Sequence, residues 1–474
     1  MKPAIIALLV LLLIPGSAFA QQPSPHIEPC PCMMKVDPAL LSQCGYLVVP
    51  ENRQHPSTRS IKVPFVYVRK PGADSSKHVT LFTTGGPGYS TIANIDSIGK
   101  NSGFLAYGGF IAFDQRGTKK SVPCLDCPEV LAADIRAYKE NLSKDSLEAI
   151  AATQCRKRLV AQGIDLSAYN TIESAADIND LRKLLHIDSL NLLGVSYSGG
   201  LMLTVARNHP EAVRLMILNS PLPGYVRYEE EGLLNMNEAL NQVFDNCEKD
   251  SSDQTLYGGL RQRFHQYFTA ITGKSFTISY QGRNIRYTKN ELLDALFNHF
   301  NATQLKTVPM VMNDMINGQH TAYVKEILDN VFEDNQPLSH GMRYSVYCSE
   351  QIAYAGEAVV KKQAELVPWL AHYDFNNVNH TLCRCWNVTA EPAVVKTPVY
   401  SNVPTLIAAG DADPWCRPFY NQFIKRYIPN SQLLVVHNKG HVPGLKVDGV
   451  DFISLFMEDP YKKIISPVKD VLVE

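Results

Sequence analysis

The 474-residue sequence lacks an excess of either charge, with 45 lysines and arginines against 46 acids and a net charge of −1. Nucleic-acid binding needs a basic stripe, so nothing here points to DNA or RNA. Beyond its first twenty residues the chain has no apolar run near the roughly 18 residues a membrane helix requires. It shows no internal repeat and no low-complexity tract, which argues against solenoids and disordered tails. Metal patterns are also thin. Cys124-x-x-Cys127 has no second CxxC beside it, so zinc is the weaker reading of that pair. Apolar residues make up 45% of the chain, enough for a sizeable core.

What is present begins at the N-terminus. Lys2 is the only charge in residues 1–20, residues 4–14 are uninterruptedly apolar, and Ala18-Phe19-Ala20 supplies an A-x-A site before Gln21. The pattern predicts a secretory signal peptide over 1–20 and a secreted or periplasmic product with no membrane anchor after cleavage. In an exported chain the eleven cysteines are expected to form disulfides. Their spacing suggests local staples: Cys44 with Cys30 or Cys32, Cys155 with Cys124 or Cys127, and Cys348 with Cys383 or Cys385. An odd count leaves at least one thiol free, with Cys247 or Cys416 expected.

Short apolar runs then alternate with helical patterns. Strands are predicted at 45–50, 61–69, 78–84, 109–113, 190–193, 213–218, 403–409 and 432–436. Helices are predicted at 174–186 and 201–208. This alternation implies an α/β fold, a mostly parallel sheet with helices on both faces. From about 223 to 398 long helical patterns take over, at 230–244, 260–272, 289–300, 303–317, 323–332 and 354–371. The expected organisation is therefore a core over 21–222 and 399–474, interrupted by a mainly helical insertion over 223–398.

Gly194-Val195-Ser196-Tyr197-Ser198-Gly199-Gly200 follows a predicted buried strand and opens a helix, the context of a nucleophile elbow. The sharp turn needs small residues two away on either side, which Gly194 and Ser198 supply. Ser198 is a rival nucleophile, but it lies further from the strand end and lacks a glycine at −2. A serine hydroxyl needs a histidine to take its proton and a carboxylate to orient that histidine. Downstream, one strand runs into Asp411-Ala412-Asp413-Pro414 and the next into Gly440-His441, the order Ser, acid, His. Asp413 is the preferred acid and Asp411 its alternative. Gly85-Gly86-Pro87-Gly88 follows an early strand, and its backbone N–H groups, with that of Tyr197, could form an oxyanion hole.

Taken together, GGPG (85–88), DQRG (114–117), GVSY (194–197), Gly410-x-x-Asp413-Pro414 and Gly440-His441 resemble the proline iminopeptidase and tripeptidyl aminopeptidase group of α/β-hydrolases. The likeness runs from about residue 44 to 441. It implies an α/β-hydrolase fold with the insertion as a helical cap. It also implies a catalytic triad of Ser196, Asp413 and His441, an oxyanion hole flanked by Gly86 and Tyr197, and no metal or organic cofactor. Thr84 stands where proline iminopeptidases carry histidine, which with the export signal favours the secreted tripeptidyl-type branch. The implied substrate is a peptide with a free N-terminus, whose ammonium needs a carboxylate in a closed site. Glu350, in a C-x-E-like pattern with Cys348, is the candidate, with Glu229, Glu230 and Glu231 behind it. Two departures stand out: Ser198 replaces the usual glycine, and Cys416 follows the acid. The alternatives are an esterase or other acyl hydrolase on the same scaffold, or an inactive hydrolase-like binding module.

Overall fold

Ten strands, each short and rich in β-branched and aromatic residues, assemble into one sheet. They are β1 (His26–Pro29), β2 (Leu41–Pro50), β3 (Ser60–Arg69), β4 (Val79–Thr83), β5 (Gly109–Phe113), β6 (Leu190–Val195), β7 (Val213–Asn219), β8 (Thr405–Gly410), β9 (Ser431–Val436) and β10 (Val471–Val473). The spatial order is β1-β2-β3-β5-β4-β6-β7-β8-β9-β10. Pairing from β5 through β4, β6, β7 and β8 to β9 is parallel, and both ends of the sheet are antiparallel. The structure is a computed structural model that describes residues 24–55, 59–74, 78–333 and 337–474. The expected signal peptide lies outside the described residues.

Alternate residues of each strand face opposite layers. Leu215 and Ile217 of β7 pack with Leu406, Ala408, Leu434 and Val436 against Phe452 and Phe456 of the Phe452–Glu458 helix. Met216 and Leu218 turn the other way, toward Leu201, Met202, Val205 and Ile424 of the Tyr197–Asn208 and Pro418–Tyr427 helices. Both faces are thus covered, and the central parallel strands read as near-continuous apolar runs for that reason. The chain has the α/β-hydrolase fold.

Between β7 and β8 the chain builds a second apolar cluster around Phe244, Phe264, Phe268, Leu292, Leu296, Met312 and Leu328. Its main helices are Tyr228–Lys249, Leu260–Ala270, Lys289–Asn298, Val308–Ile316 and Thr321–Glu333. Two details depart from the helical expectation. Phe276–Tyr280 and Arg283–Tyr287 form a hairpin whose turn residues, Gln281 and Gly282, both have positive φ. The run expected as one helix over 354–371 divides into Glu357–Leu366 and a short turn at Pro368–Leu370, because a proline cannot continue the helical ladder.

Three disulfides join Cys32 to Cys44, Cys127 to Cys155 and Cys348 to Cys383. Cys30, Cys124, Cys247, Cys385 and Cys416 are free thiols. With Cys127 held by Cys155, Cys124-x-x-Cys127 cannot act as a two-thiolate zinc unit. No helix among the described residues is long and apolar enough to cross a membrane.

Candidate active site

β6 ends at Val195 and the next helix starts at Tyr197, so Ser196 is the whole turn. Its backbone sits at φ 56°, ψ −127°, a strained conformation for a residue with a side chain. Neighbours make the turn possible. A Cβ on Gly194 would lie 2.8 Å from the Ser198 carbonyl oxygen, and one on Gly85 would lie 2.5 Å from the Val195 carbonyl oxygen. The glycine loop after β4 can therefore press directly against the elbow. The Ser196 N–H donates to the Asn219 carbonyl at the end of β7 (3.1 Å).

Ser198 is not a second nucleophile facing the site. Its hydroxyl is fully buried, accepts from the Val195 N–H (2.8 Å) and sits 2.7 Å from the Thr83 carbonyl, to which it donates. It ties the elbow to the strand that launches the glycine loop. The departure from glycine at this position is a clamp.

His441 Nδ1 lies 2.8 Å from Asp413 Oδ2, and Asp413 is completely buried. Asp411 instead pairs with the exposed His437, 2.6 Å from its Nδ1. The structure therefore separates the two candidate acids by partner. Burial pushes the Asp413 carboxyl up, but the charge and hydrogen bond of His441, the Cys416 N–H and Ser220 outweigh it and hold the group below the ordinary carboxylate range. His441 is fixed through its backbone: its N–H donates to the Phe300 carbonyl of the inserted lobe (2.7 Å), and the next N–H donates to Ser220 Oγ (3.0 Å). The Trp415 ring lies edge-on to the imidazole at 5.2 Å.

Ser196 and His441 line one cavity of about 360 Å³ with Gly85, Gly86 and Cys416. Tyr89, Leu222, Tyr228, Tyr347, Phe375 and Trp415 form most of the remaining wall, which is strongly aromatic. Arg343 also faces it. This guanidinium donates to the Gly86 carbonyl (2.9 Å) and to the Asn376 carbonyl (2.9 Å) and lies over the Tyr347 ring. It thus fastens the glycine loop to the inserted lobe. From the core side, Gln115 Nε2 donates to the Thr84 carbonyl (2.8 Å), so the DQRG segment supports the same loop. The Tyr197 N–H, first of its helix, has no intrahelical acceptor.

Cys416 Sγ lies 4.0 Å from Ser196 Oγ. Burial and the neighbouring Asp413 push its thiol well up, so it is not a thiolate competitor. Donor atoms of Asp413, Cys416 and His441 come within 4.8 Å of one another. A thiophilic ion held there would remove His441 from proton transfer.

Glu350 does not line this cavity. It is buried beneath Gly224, receives the Thr171 hydroxyl at 2.5 Å and lies behind Tyr197, whose hydroxyl is 2.9 Å from that same Thr171 oxygen. Glu229 comes closer: it is buried and accepts a hydrogen bond from Asn376, which does line the cavity. Burial and the nearby Asp374 raise the Glu229 carboxyl to about 8. Glu230 instead accepts the Gly356 N–H, and Glu231 the Tyr420 hydroxyl. The roles of Arg343, Gln115 and the Ser198 clamp had no signal in the sequence beyond their place in motifs.

Residues 109–295 match the model described as alpha/beta hydrolase fold, and residues 371–445 match the model described as TAP-like protein. The chain is an α/β hydrolase by fold and resembles the tripeptidyl aminopeptidases. The tripeptidyl aminopeptidase of Streptomyces lividans is 29% identical over 38% of this chain and 35% of its own length. Serine protease Hip1 of Mycobacterium tuberculosis is 26% identical over 44% of this chain and 42% of its own. The matched region thus spans well under half the length of these relatives. Among solved structures, an alpha/beta hydrolase from a Medee basin deep-sea metagenome library is 12% identical, covering 86% of this chain and 98% of that one at a TM-score of 0.37.

Proposed function

We propose that the protein is an exported serine exopeptidase that removes short peptides or residues from the N-terminus of peptide substrates. The observation that carries this reading is the Asp413–His441 pair at 2.8 Å, whose imidazole lines one aromatic cavity with Ser196 at a strained strand-to-helix turn. Ser196 Oγ attacks the scissile carbonyl carbon while His441 takes its proton, and Asp413 holds the imidazole in the required tautomer. The carbonyl oxygen becomes an oxyanion that accepts from the backbone N–H groups of Gly86 and Tyr197. Collapse expels the amine, protonated by His441, and leaves an acyl-enzyme. Water, deprotonated by the same histidine, then releases the acid and restores the serine.

The aromatic wall supports substrates with apolar side chains at the cleaved residue. The peptidase relatives support an amide substrate. The three disulfides support an oxidising compartment, as the predicted signal peptide does. For the free ammonium, Glu229 behind Asn376 is the better-placed partner, its carboxyl giving up its proton as the cation binds beside it, with Glu350 the alternative carried from the family pattern.

The test runs wild type, Ser196→Ala, Glu229→Gln and Glu350→Gln against fluorogenic peptide amides of one to three residues, each with a free and a blocked N-terminus. The expected result is cleavage of free-amine substrates only, lost in Ser196→Ala, with KM raised most in Glu229→Gln. Equal turnover of blocked substrates would contradict the exopeptidase reading. Ester turnover without amide turnover would favour an esterase.

A further inference from the structure

One half of the sheet face that carries the Phe452–Glu458 helix is thinly covered. Its cover consists of short segments: the four-residue helix at Thr91–Asn94, a single 3-10 turn at Gly103–Leu105, and the stretches around Met34, Leu40 and Ile98. Between these covers is a cavity of about 520 Å³, within the range of small-molecule sites. Its floor is Phe82, Leu193, Val195 and Ile217, and Phe104 and Ile453 stand at its sides. Neither Ser196, Asp413 nor His441 lines it. It adjoins the elbow, since Val195 lines this cavity and the catalytic one.

Asn219, at the end of β7, is the polar side chain beside the apolar floor; Thr80, Ser102, Tyr107, Lys446 and Asp451 are the polar residues in the rest of the lining. Asn219 is only 7% exposed, and its Oδ1 is buried with no hydrogen-bond partner among the described residues. A buried, unpaired carboxamide is unfavourable, and a ligand group that pairs with it relieves the deficit. We propose that this cavity binds a small, neutral, largely apolar molecule bearing one hydroxyl group. The apolar body covers Leu193 and Ile217, and the hydroxyl meets the Asn219 carboxamide. A hydroxyl both donates and accepts, so it satisfies either end of the amide. A charged group would lose its hydration over the apolar floor.

The test uses the full chain with 2-naphthol and 2-methylnaphthalene, which differ by a hydroxyl against a methyl of similar size. Affinities are read by equilibrium dialysis and contacts by saturation-transfer NMR. The expected result is that 2-naphthol binds about fivefold tighter, the effect of one neutral hydrogen bond. Asn219→Leu removes that preference. Leu193→Trp fills the cavity and abolishes binding of both probes. Any of four results overturns the proposal: no binding, equal affinity for the two probes, a preference that survives Asn219→Leu, or binding that survives in a folded Leu193→Trp. The last would place the probe elsewhere, the aromatic catalytic cavity included. Melting curves check both variants, and Asn219→Leu alone decides if Leu193→Trp does not fold.

Discussion

At the scale of single residues, the site depends on side chains that never meet a substrate. Ser198 is the clearest. From sequence it is a departure from glycine. In the structure it is a buried hydroxyl joining the elbow to the Thr83 carbonyl. Ser198→Gly deletes that bond and adds backbone freedom at the first helical turn, a loss of about 1–2 kcal/mol. Urea denaturation is expected to show that loss, with kcat lowered and KM little changed, because Ser196 loses part of its fixed position. The choice between Asp411 and Asp413 was legible only as a preference. Which acid reaches His441 depends on how the loops after β8 and β9 meet, and the sequence does not record it. Glu350 was placed from a motif, and the motif does not say that Thr171 and Gly224 enclose it on the far side of Tyr197.

At the scale of elements, the parallel strands were largely legible because each is a short apolar run, several of them ended by a glycine or an acid. The strands before Ser196, Asp413 and His441 fell within a few residues of their expected bounds. The hairpin at Phe276–Tyr280 and Arg283–Tyr287 carries period-2 alternation around Gln281-Gly282, a signal overshadowed by the helices around it. Each disulfide falls within its expected pair of alternatives, but the choice between neighbouring cysteines was not legible, because Cys30 and Cys32 differ only in where β1 ends. The Cys30 N–H continues the ladder to the Cys44 carbonyl, and Cys32 takes the Cys44 sulfur. Element-scale function centres on Arg343, which straps the glycine loop to the inserted lobe. Arg343→Met leaves the Gly86 and Asn376 carbonyls without this donor and lets the loop shift. The expected loss in kcat is about 10- to 100-fold, since displacements near 1 Å cost that much at a reacting centre. Retained circular dichroism together with unchanged kcat would contradict the strap.

At the scale of the whole molecule, buried carboxyls couple the fold to pH. Burial lifts Glu229 to about 8, and burial next to Glu350 lifts Glu391 to about 8. A carboxyl raised above its unfolded value keeps its proton in the folded chain where the unfolded chain has lost it. Raising the pH from about 5 to 8 therefore weakens the fold. Thermal melting is expected to fall across that window, and Glu229→Gln, which has no proton to lose, should flatten the decline. A melting temperature that rises from pH 5 to 8 would contradict the assignment. Composition anticipated neither carboxyl, because in sequence Glu229 is one of three consecutive acids and only packing against Asn376 distinguishes it.

We propose Ser196 as the nucleophile of a serine hydrolase. Its most direct test is intact-mass spectrometry of the chain after exposure to a fluorophosphonate, followed by peptide mapping. The account predicts one adduct, on the peptide carrying Ser196, absent in Ser196→Ala and greatly slowed in His441→Ala. An adduct on another residue, or none on a folded wild-type chain, would contradict it.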